Sequence, residues 1–294
     1  MGYAYKMNRN IIAFNFFFIS ILLCGTLVAF AQTATLSVSP AQVIQGEPLL
    51  MQIDGLTNIA SVKKITFDKA LIKVFLYQGK PTALIGIDLN KKPGAYELIA
   101  ELSNGQILKT IINVGERQKI EAPLGIPQKL GGNTLESQKE LITTLALENK
   151  SLANIHTGLK AFWTEKFLPP LKQIIVTDEY GYSRKTGEYS ITHKGVDYRA
   201  EEGTPVMALN RGVVRVVKTY RDYGKTIVVD HGLGLMTFYM HLSKIKVNVG
   251  ELVQRGQIIG LSGQTGYAEN PHLHLTVRIN GSSIDPVKFL ELFQ

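Results

Sequence analysis

The chain has 294 residues, 45% hydrophobic and 19% charged, which is globular composition and leaves room for two domains at roughly 100–200 residues each. Its formal net charge is +8, which suits anionic surroundings such as lipid or wall polymer. The Lys and Arg residues form no long run and no basic helix, so the charge reads as a moderately basic soluble surface and not as a nucleic-acid interface.

The N-terminus carries Lys6 and Arg9 ahead of an apolar stretch over residues 11–30, which ends in Ala29-Phe30-Ala31 before Gln32. A positive flank, an apolar middle and a small-residue exit predict a secretory signal over 1–31. Left uncleaved, residues 11–31 would instead anchor the chain in the inner membrane. The single cysteine, Cys24, lies inside this segment behind Leu23, which is not the small residue that lipid attachment requires. Cleavage would remove two cations and no acid, leaving +6 and no cysteine. That excludes disulfides, a thiolate metal site and a cysteine nucleophile, and it predicts a basic exported protein of the periplasm or cell envelope.

Residues 32–116 read as a small immunoglobulin-like β-sandwich. Short apolar or alternating runs at 49–53, 71–77, 83–87, 96–100 and 107–114 are separated by turn text such as Gly46-Glu47-Pro48, Gly79-Lys80-Pro81 and Asn104-Gly105. This part contains no histidine and no catalytic cluster, so it is a spacer or binding module. Residues 117–171 read as a linker with one helix. Pro123, Gly125, Pro127 and Gly131-Gly132 give the linker composition, Asn133 with Glu136 predicts a reciprocal N-cap, and Leu141, Ile142, Leu145 and Leu152 recur at helical spacing. His156 stands apart from the other histidines and is given a surface or packing role. From 172 to 294 strand text returns, at 213–217, 226–229, 235–241, 257–261 and 273–279, bounded by glycines, and predicts an all-β domain.

Five of the six histidines fall in that last domain, at His193, His231, His241, His272 and His274. Hydrolytic zinc sites use three His, Asp or Glu ligands and keep a fourth position for water. His193 and Asp197 supply an imidazole and a carboxylate on one short segment. His272 and His274 sit two apart where a strand begins, so both imidazoles face the same side while Leu273, Leu275 and Val277 face the core. Applied to 235–241, the same parity puts Met236, Phe238 and Met240 on one face and Thr237, Tyr239 and His241 on the other. His231, in a glycine turn after Asp230, is read as structural, and Tyr239 as a candidate assistant at the site. Parity alone does not choose between His272 and His274 as ligand.

His193-x-x-x-Asp197, Tyr239-Met240-His241-Leu242-Ser243, Gly263-Gln264-Thr265-Gly266 and Pro271-His272-Leu273-His274 together resemble the M23 (lysostaphin/LytM-type) zinc metallopeptidases, over about residues 177–290. Lys194-Gly195-Val196-Asp197-Tyr198, Gly203-Thr204-Pro205-Val206, Asp230-His231-Gly232 and Asp285-Pro286 extend the resemblance. Tyr180-Gly181-Tyr182-Ser183-Arg184 departs from a more usual Phe-Gly-x-Arg. The resemblance implies one Zn2+ held by His193, Asp197 and His274, with His241 and His272 as unligated catalytic histidines. It further implies an endopeptidase that hydrolyses stem peptides or cross-links of bacterial peptidoglycan, in wall remodelling or cell-shape control, with other envelope proteins as further partners. Of the two histidines, His272 is preferred as general base and His241 as the oxyanion or proton-donating partner. The competing readings are a catalytically silent LytM-like domain that binds wall and activates another hydrolase, and a lipoyl- or biotinyl-type carrier suggested by Val247-Asn248-Val249-Gly250. A silent domain would have lost ligands, and a carrier has no use for five histidines.

Overall fold

The computed structural model describes residues 33–293 together with Met1 and Gly2. The export segment or anchor expected at 1–31, and Cys24 within it, therefore lie outside the described residues. Among the described residues no helix is long and apolar enough to cross a membrane. From Ala34 onward the chain forms one compact unit, mainly β, with two α-helices among the described residues.

The N-terminal part is built from two facing sheets. One runs β1 (Thr35–Ser39), β3 (Pro48–Asp54), β7 (Lys80–Gly86), β6 (Phe75–Tyr77). The other runs β2 (Val43–Ile44), β9 (Ile107–Gly115), β8 (Gly94–Leu102), β4 (Val62–Phe67), β5 (Ala70–Ile72). Leu49, Met51, Ile53, Ile65, Ile85 and Leu98 fill the space between them. The run expected as one strand over 71–77 is two strands, because β5 pairs with β4 in one sheet and β6 with β7 in the other. The β3 run is apolar and buried from Pro48 to Met51 and again at Ile53, with only the half-buried Gln52 between them, for a physical reason. Successive side chains alternate, so Leu49, Met51 and Ile53 enter this core while Leu50 enters the core of the C-terminal part. A strand covered on both faces has few polar positions.

That second contact abolishes any sharp boundary. Phe75 and Tyr77 each place their rings 5.3 Å from Trp163, which packs 4.9 Å from Phe167. Each buried side chain of this size contributes roughly 1.5–3 kcal/mol, so residues 159–171 are fastened to both halves. Gly86 fits the same seam, since a Cβ there would press on Ile279 and Ile284.

The C-terminal sheet has eight strands in the order β11 (Val176–Asp178), β14 (Val196–Arg199), β22 (His272–Ile279), β18 (Leu235–Leu242), β17 (Lys225–Gly232), β16 (Gly212–Thr219), β20 (Leu252–Val253), with β23 (Ser282–Ile284) also on β22. A three-stranded sheet of β15 (Pro205–Met207), β21 (Ile258–Leu261) and β19 (Lys244–Ile245) closes one side. Tyr198, Tyr239, Leu273, Leu275 and Phe289 lie buried on one face of the large sheet. Helix α2 (Pro286–Glu291) follows β23, capped by Asp285.

The opposite face is covered by helix α1 (Leu135–Ala153). Its N-cap is Thr134, whose hydroxyl accepts from the Ser137 N–H at 3.2 Å. The expected cap, Asn133, sits one residue too early, and its carboxamide oxygen accepts from Ile126 N–H at 2.6 Å instead. Leu152 packs with Met236, Phe238 and Met240. Glu148 is buried because its carboxylate accepts the backbone N–H groups of Asp222 and Tyr223, at 3.0 and 3.1 Å. Ahead of the helix, β10 (Glu121–Pro123) joins β12 (Ser183–Thr186) in parallel, and β12 pairs with β13 (Tyr189–Thr192). The segment with linker composition is thus ordered along one rim of the site.

Candidate metal centre

Register assembles the centre. In the antiparallel pair β14–β22, Asp197 lies directly opposite His274, so both side chains leave the same face. His193 arrives from the turn after β13, held by its N–H donating to Tyr182 O at 2.8 Å. Gly195 lets that turn lie against β22, since a Cβ there would collide with the His274 ring and the Leu275 carbonyl. His193 Nε2 is 3.0 Å from His274 Nδ1 and 3.2 Å from Asp197 Oδ1, and His274 Nδ1 is 2.7 Å from the same oxygen. All three residues are buried.

The backbone decides which nitrogen of each ring is free. A carbonyl can only accept, so a ring nitrogen resting on one carries the proton. His193 Nδ1–H donates to Glu179 O at 2.8 Å, His241 Nδ1–H to Thr265 O at 2.9 Å, and His272 Nδ1–H to Asn270 O at 2.8 Å. Each of these imidazoles, when neutral, therefore offers its Nε2 lone pair. His274 meets the site with Nδ1 while its Nε2 lies 2.9 Å from Thr276 Oγ1, a hydroxyl that can accept a hydrogen bond from Nε2–H and so leave Nδ1 as the lone-pair nitrogen. Thr276 was not foreseen, although it lies on the His274 face two residues further along the strand.

His241 reaches the centre by a route that parity does not predict. Met240, not His241, is paired with His274 on the site face, and regular alternation would carry His241 into the core. His241 has φ +59°, in the left-handed region, and this turns its ring back to stand 4.8 Å from that of His272 and 6.0 Å from that of His274. Tyr239 keeps the regular alternation and is fully buried in the core. Its hydroxyl accepts from Leu209 N–H at 2.9 Å and meets Thr237 Oγ1 at 3.1 Å. The two residues expected on one face are on opposite ones, so Tyr239 does not assist at the site. His231 is also in the core, between Arg211 O and Thr237 Oγ1 at 2.9 Å each. His156 is exposed.

Burial pushes the His274 imidazole down to about 4, against the pull of Asp197, and burial with the neighbouring His272 and His274 pushes His241 well below the ordinary imidazole range. Burial alone would raise the Asp197 carboxyl, but the facing His193 and His274 outweigh it and hold it well below the usual carboxylate range. A neutral His274 imidazole and an ionised Asp197 carboxylate are protonation states that metal ligation requires. Two lone-pair nitrogens and one anionic oxygen converge, all three ligand atoms lying within 4.8 Å of one another. Such a donor set fits a divalent cation and leaves room for a further ligand. Beside it opens a cleft of about 400 Å³ lined by Asp197, His241, His272, Tyr267 and Leu124. Leu124 and Tyr267 line it from two separate segments, which the Tyr267 hydroxyl ties together by donating to Gly125 O.

Residues 191–286 match the sequence profile of Peptidase family M23. The chain is 43% identical over 96 residues to the peptidoglycan DD-endopeptidase ShyA of Vibrio cholerae, a match covering 33% of this chain and 22% of that protein. It is 41% identical over 95 residues to the DD-carboxypeptidase/endopeptidase Mpg of Neisseria meningitidis, covering 32% of this chain and 22% of that one. The chain thus spans about a fifth of the length of the curated relatives it matches. A crystal structure from Pseudomonas aeruginosa, described as a peptidase M23, superposes with a TM-score of 0.62 at 24% identity, over 86% of this chain and 96% of that one. At that identity the likeness concerns the fold.

Proposed function

We propose, on the premise that residues 191–286 are a peptidase family M23 domain, that the chain is a zinc-dependent endopeptidase hydrolysing peptide bonds in peptidoglycan stem peptides or cross-links. The observation that carries this reading is the convergence of five side chains on one point at the end of an open cleft. Three of them form a ligand set, and two more imidazoles present Nε2 lone pairs beside it. A silent wall-binding domain would not need the two unligated histidines.

His193, Asp197 and His274 would hold the ion. Zinc bound there would supply Lewis acidity to the scissile carbonyl and would lower the pKa of water towards neutrality. His272, whose side chain is 18% exposed, faces the cleft and is assigned the proton of the attacking water. Its Nδ1–H contact with Asn270 O fixes the ring with Nε2 inward and stabilises the imidazolium that results. His241 is more deeply buried and starts as an acceptor, so it would serve the oxyanion or the leaving amine after the proton taken from water by the adjacent His272, 4.8 Å away ring to ring, has passed to it. Thr276 holds the His274 ring in the ligating orientation. The expected export segment supports a place in the periplasm or cell envelope, where this polymer lies, with inner-membrane attachment if residues 11–31 are retained.

The test is digestion of purified peptidoglycan by the full chain, with the muropeptides resolved by mass spectrometry. Cross-linked dimers are expected to fall to monomers in a reaction stopped by chelation and restored by zinc. Dimers that survive incubation with chain carrying one equivalent of zinc would overturn the endopeptidase reading.

A further inference from the structure

Arg184 occupies a position that the ligand set does not explain. Asp178 and Asp197 are cross-strand partners in the antiparallel pair β11–β14, and two carboxylates so placed repel each other. The Arg184 guanidinium stands between them. Its Nη2 donates to Asp178 Oδ2 and, at 2.6 Å, to Asp197 Oδ2. The two oxygens of Asp197 are thereby divided. Oδ2 belongs to Arg184, while Oδ1 faces His274 Nδ1 at 2.7 Å and His193 Nε2 at 3.2 Å.

The strand that carries Arg184 has only four residues and depends on its neighbours for register. β13 flanks it on one side, and β10 flanks it on the other, with Ala122 paired to Arg184. Leu124 N–H adds a bond to Lys185 O at 2.7 Å. The guanidinium is therefore held from its own backbone as well as by the two carboxylates.

We propose that Arg184 is a positioning residue that presents Asp197 to the metal through Oδ1 alone. The proposal rests on the reading of His193, Asp197 and His274 as metal ligands. A carboxylate with both oxygens free can rotate or offer two donors. Tying Oδ2 to a guanidinium removes both freedoms, and hydrogen bonds to ligating carboxylates commonly govern metal affinity.

The experiment uses the metal-free full chain, titrated with Zn2+ against a chromophoric chelator and with Co2+ for its visible absorption. Arg184→Ala is expected to weaken zinc binding about 10–100-fold and to shift the Co2+ spectrum from intense four-coordinate bands to weaker bands of higher coordination number. Its loss also leaves Asp178 and Asp197 facing each other unscreened, so the double variant Arg184→Ala/Asp178→Asn separates positioning from folding. That variant is expected to recover the melting temperature of the metal-free chain but neither the affinity nor the spectrum. Wild-type affinity and spectrum in Arg184→Ala, or recovery of both in the double variant, would overturn the proposal. A wild-type chain that takes up no zinc overturns the ligand reading and this inference with it. Tight zinc binding without peptidoglycan cleavage sinks the hydrolase reading alone.

Discussion

Strands β22 and β18 lie side by side in one sheet, and each delivers histidine to the same centre, but by opposite means. On β22 the delivery is regular. His272 and His274 are two apart, so the pleat sends both to one face and sends Leu273 and Leu275 to the core. On β18 regularity would fail, because Met240 already holds the place opposite His274. A left-handed φ of +59° at His241 reverses its side chain, at a cost of order 1–3 kcal/mol for a residue with a Cβ. Backbone strain of this kind at one of five converging side chains is what a site, and not a core, would retain.

The largest expected effects separate the two strands' site residues from their core residues by activity. His272→Ala and His241→Ala should each keep one equivalent of zinc and lose about 10²–10⁴ in turnover on cross-linked muropeptides. Full turnover in His241→Ala would mean that the reversed backbone serves packing only, and the contrast between the strands would lose its functional content.

His231, on the core side next to β18, should act on stability and not on turnover. Burial pushes its imidazole from 6.5 down to about 4. The unfolded chain therefore takes up a proton first as pH falls, and the stability due to neutral His231 is complete above 6.5 and is lost on the way to 4. Between those limits the loss is about 3 kcal/mol. Urea unfolding of wild type and His231→Gln at pH 7 and pH 4.5 checks it. The variant should be less acid-sensitive, and parallel pH profiles would contradict the assignment.

A smaller effect is expected at Tyr239. Tyr239→Phe strips the acceptor from a buried Leu209 N–H and should cost about 1–3 kcal/mol in denaturant unfolding, with turnover unchanged. A fall in turnover without a fall in stability would return Tyr239 to the site, where simple alternation with His241 had put it.

These residues also mark how far the sequence could be read. The shared face of His272 and His274 was legible because an unbroken strand obeys a two-residue period. Their division of roles was not, since it depends on the cross-strand register that sets His274 opposite Asp197 and His272 opposite Arg199; only family resemblance separated them. The conformation of His241 was hidden because no glycine or turn motif interrupts Tyr239-Met240-His241-Leu242 to announce a positive φ. Helix α1 was visible from the spacing of Leu141, Leu145 and Leu152, but its cap was misplaced by one residue because the Asn133 carboxamide is spent on Ile126. Strand β10 left no periodic signal, being three residues long and ending in Pro123. The linker composition around it therefore concealed both a wall of the cleft and the strand that holds Arg184 in register.

The ligand set is tested most directly by the bound zinc per chain in wild type, His274→Ala and His272→Ala, measured on the full chain after equilibration with a zinc buffer and removal of free ion. One equivalent is expected in wild type and in His272→Ala, and well under one in His274→Ala. Full zinc in His274→Ala with loss in His272→Ala would reverse the ligand assignment, and full zinc in both would remove β22 from the metal centre.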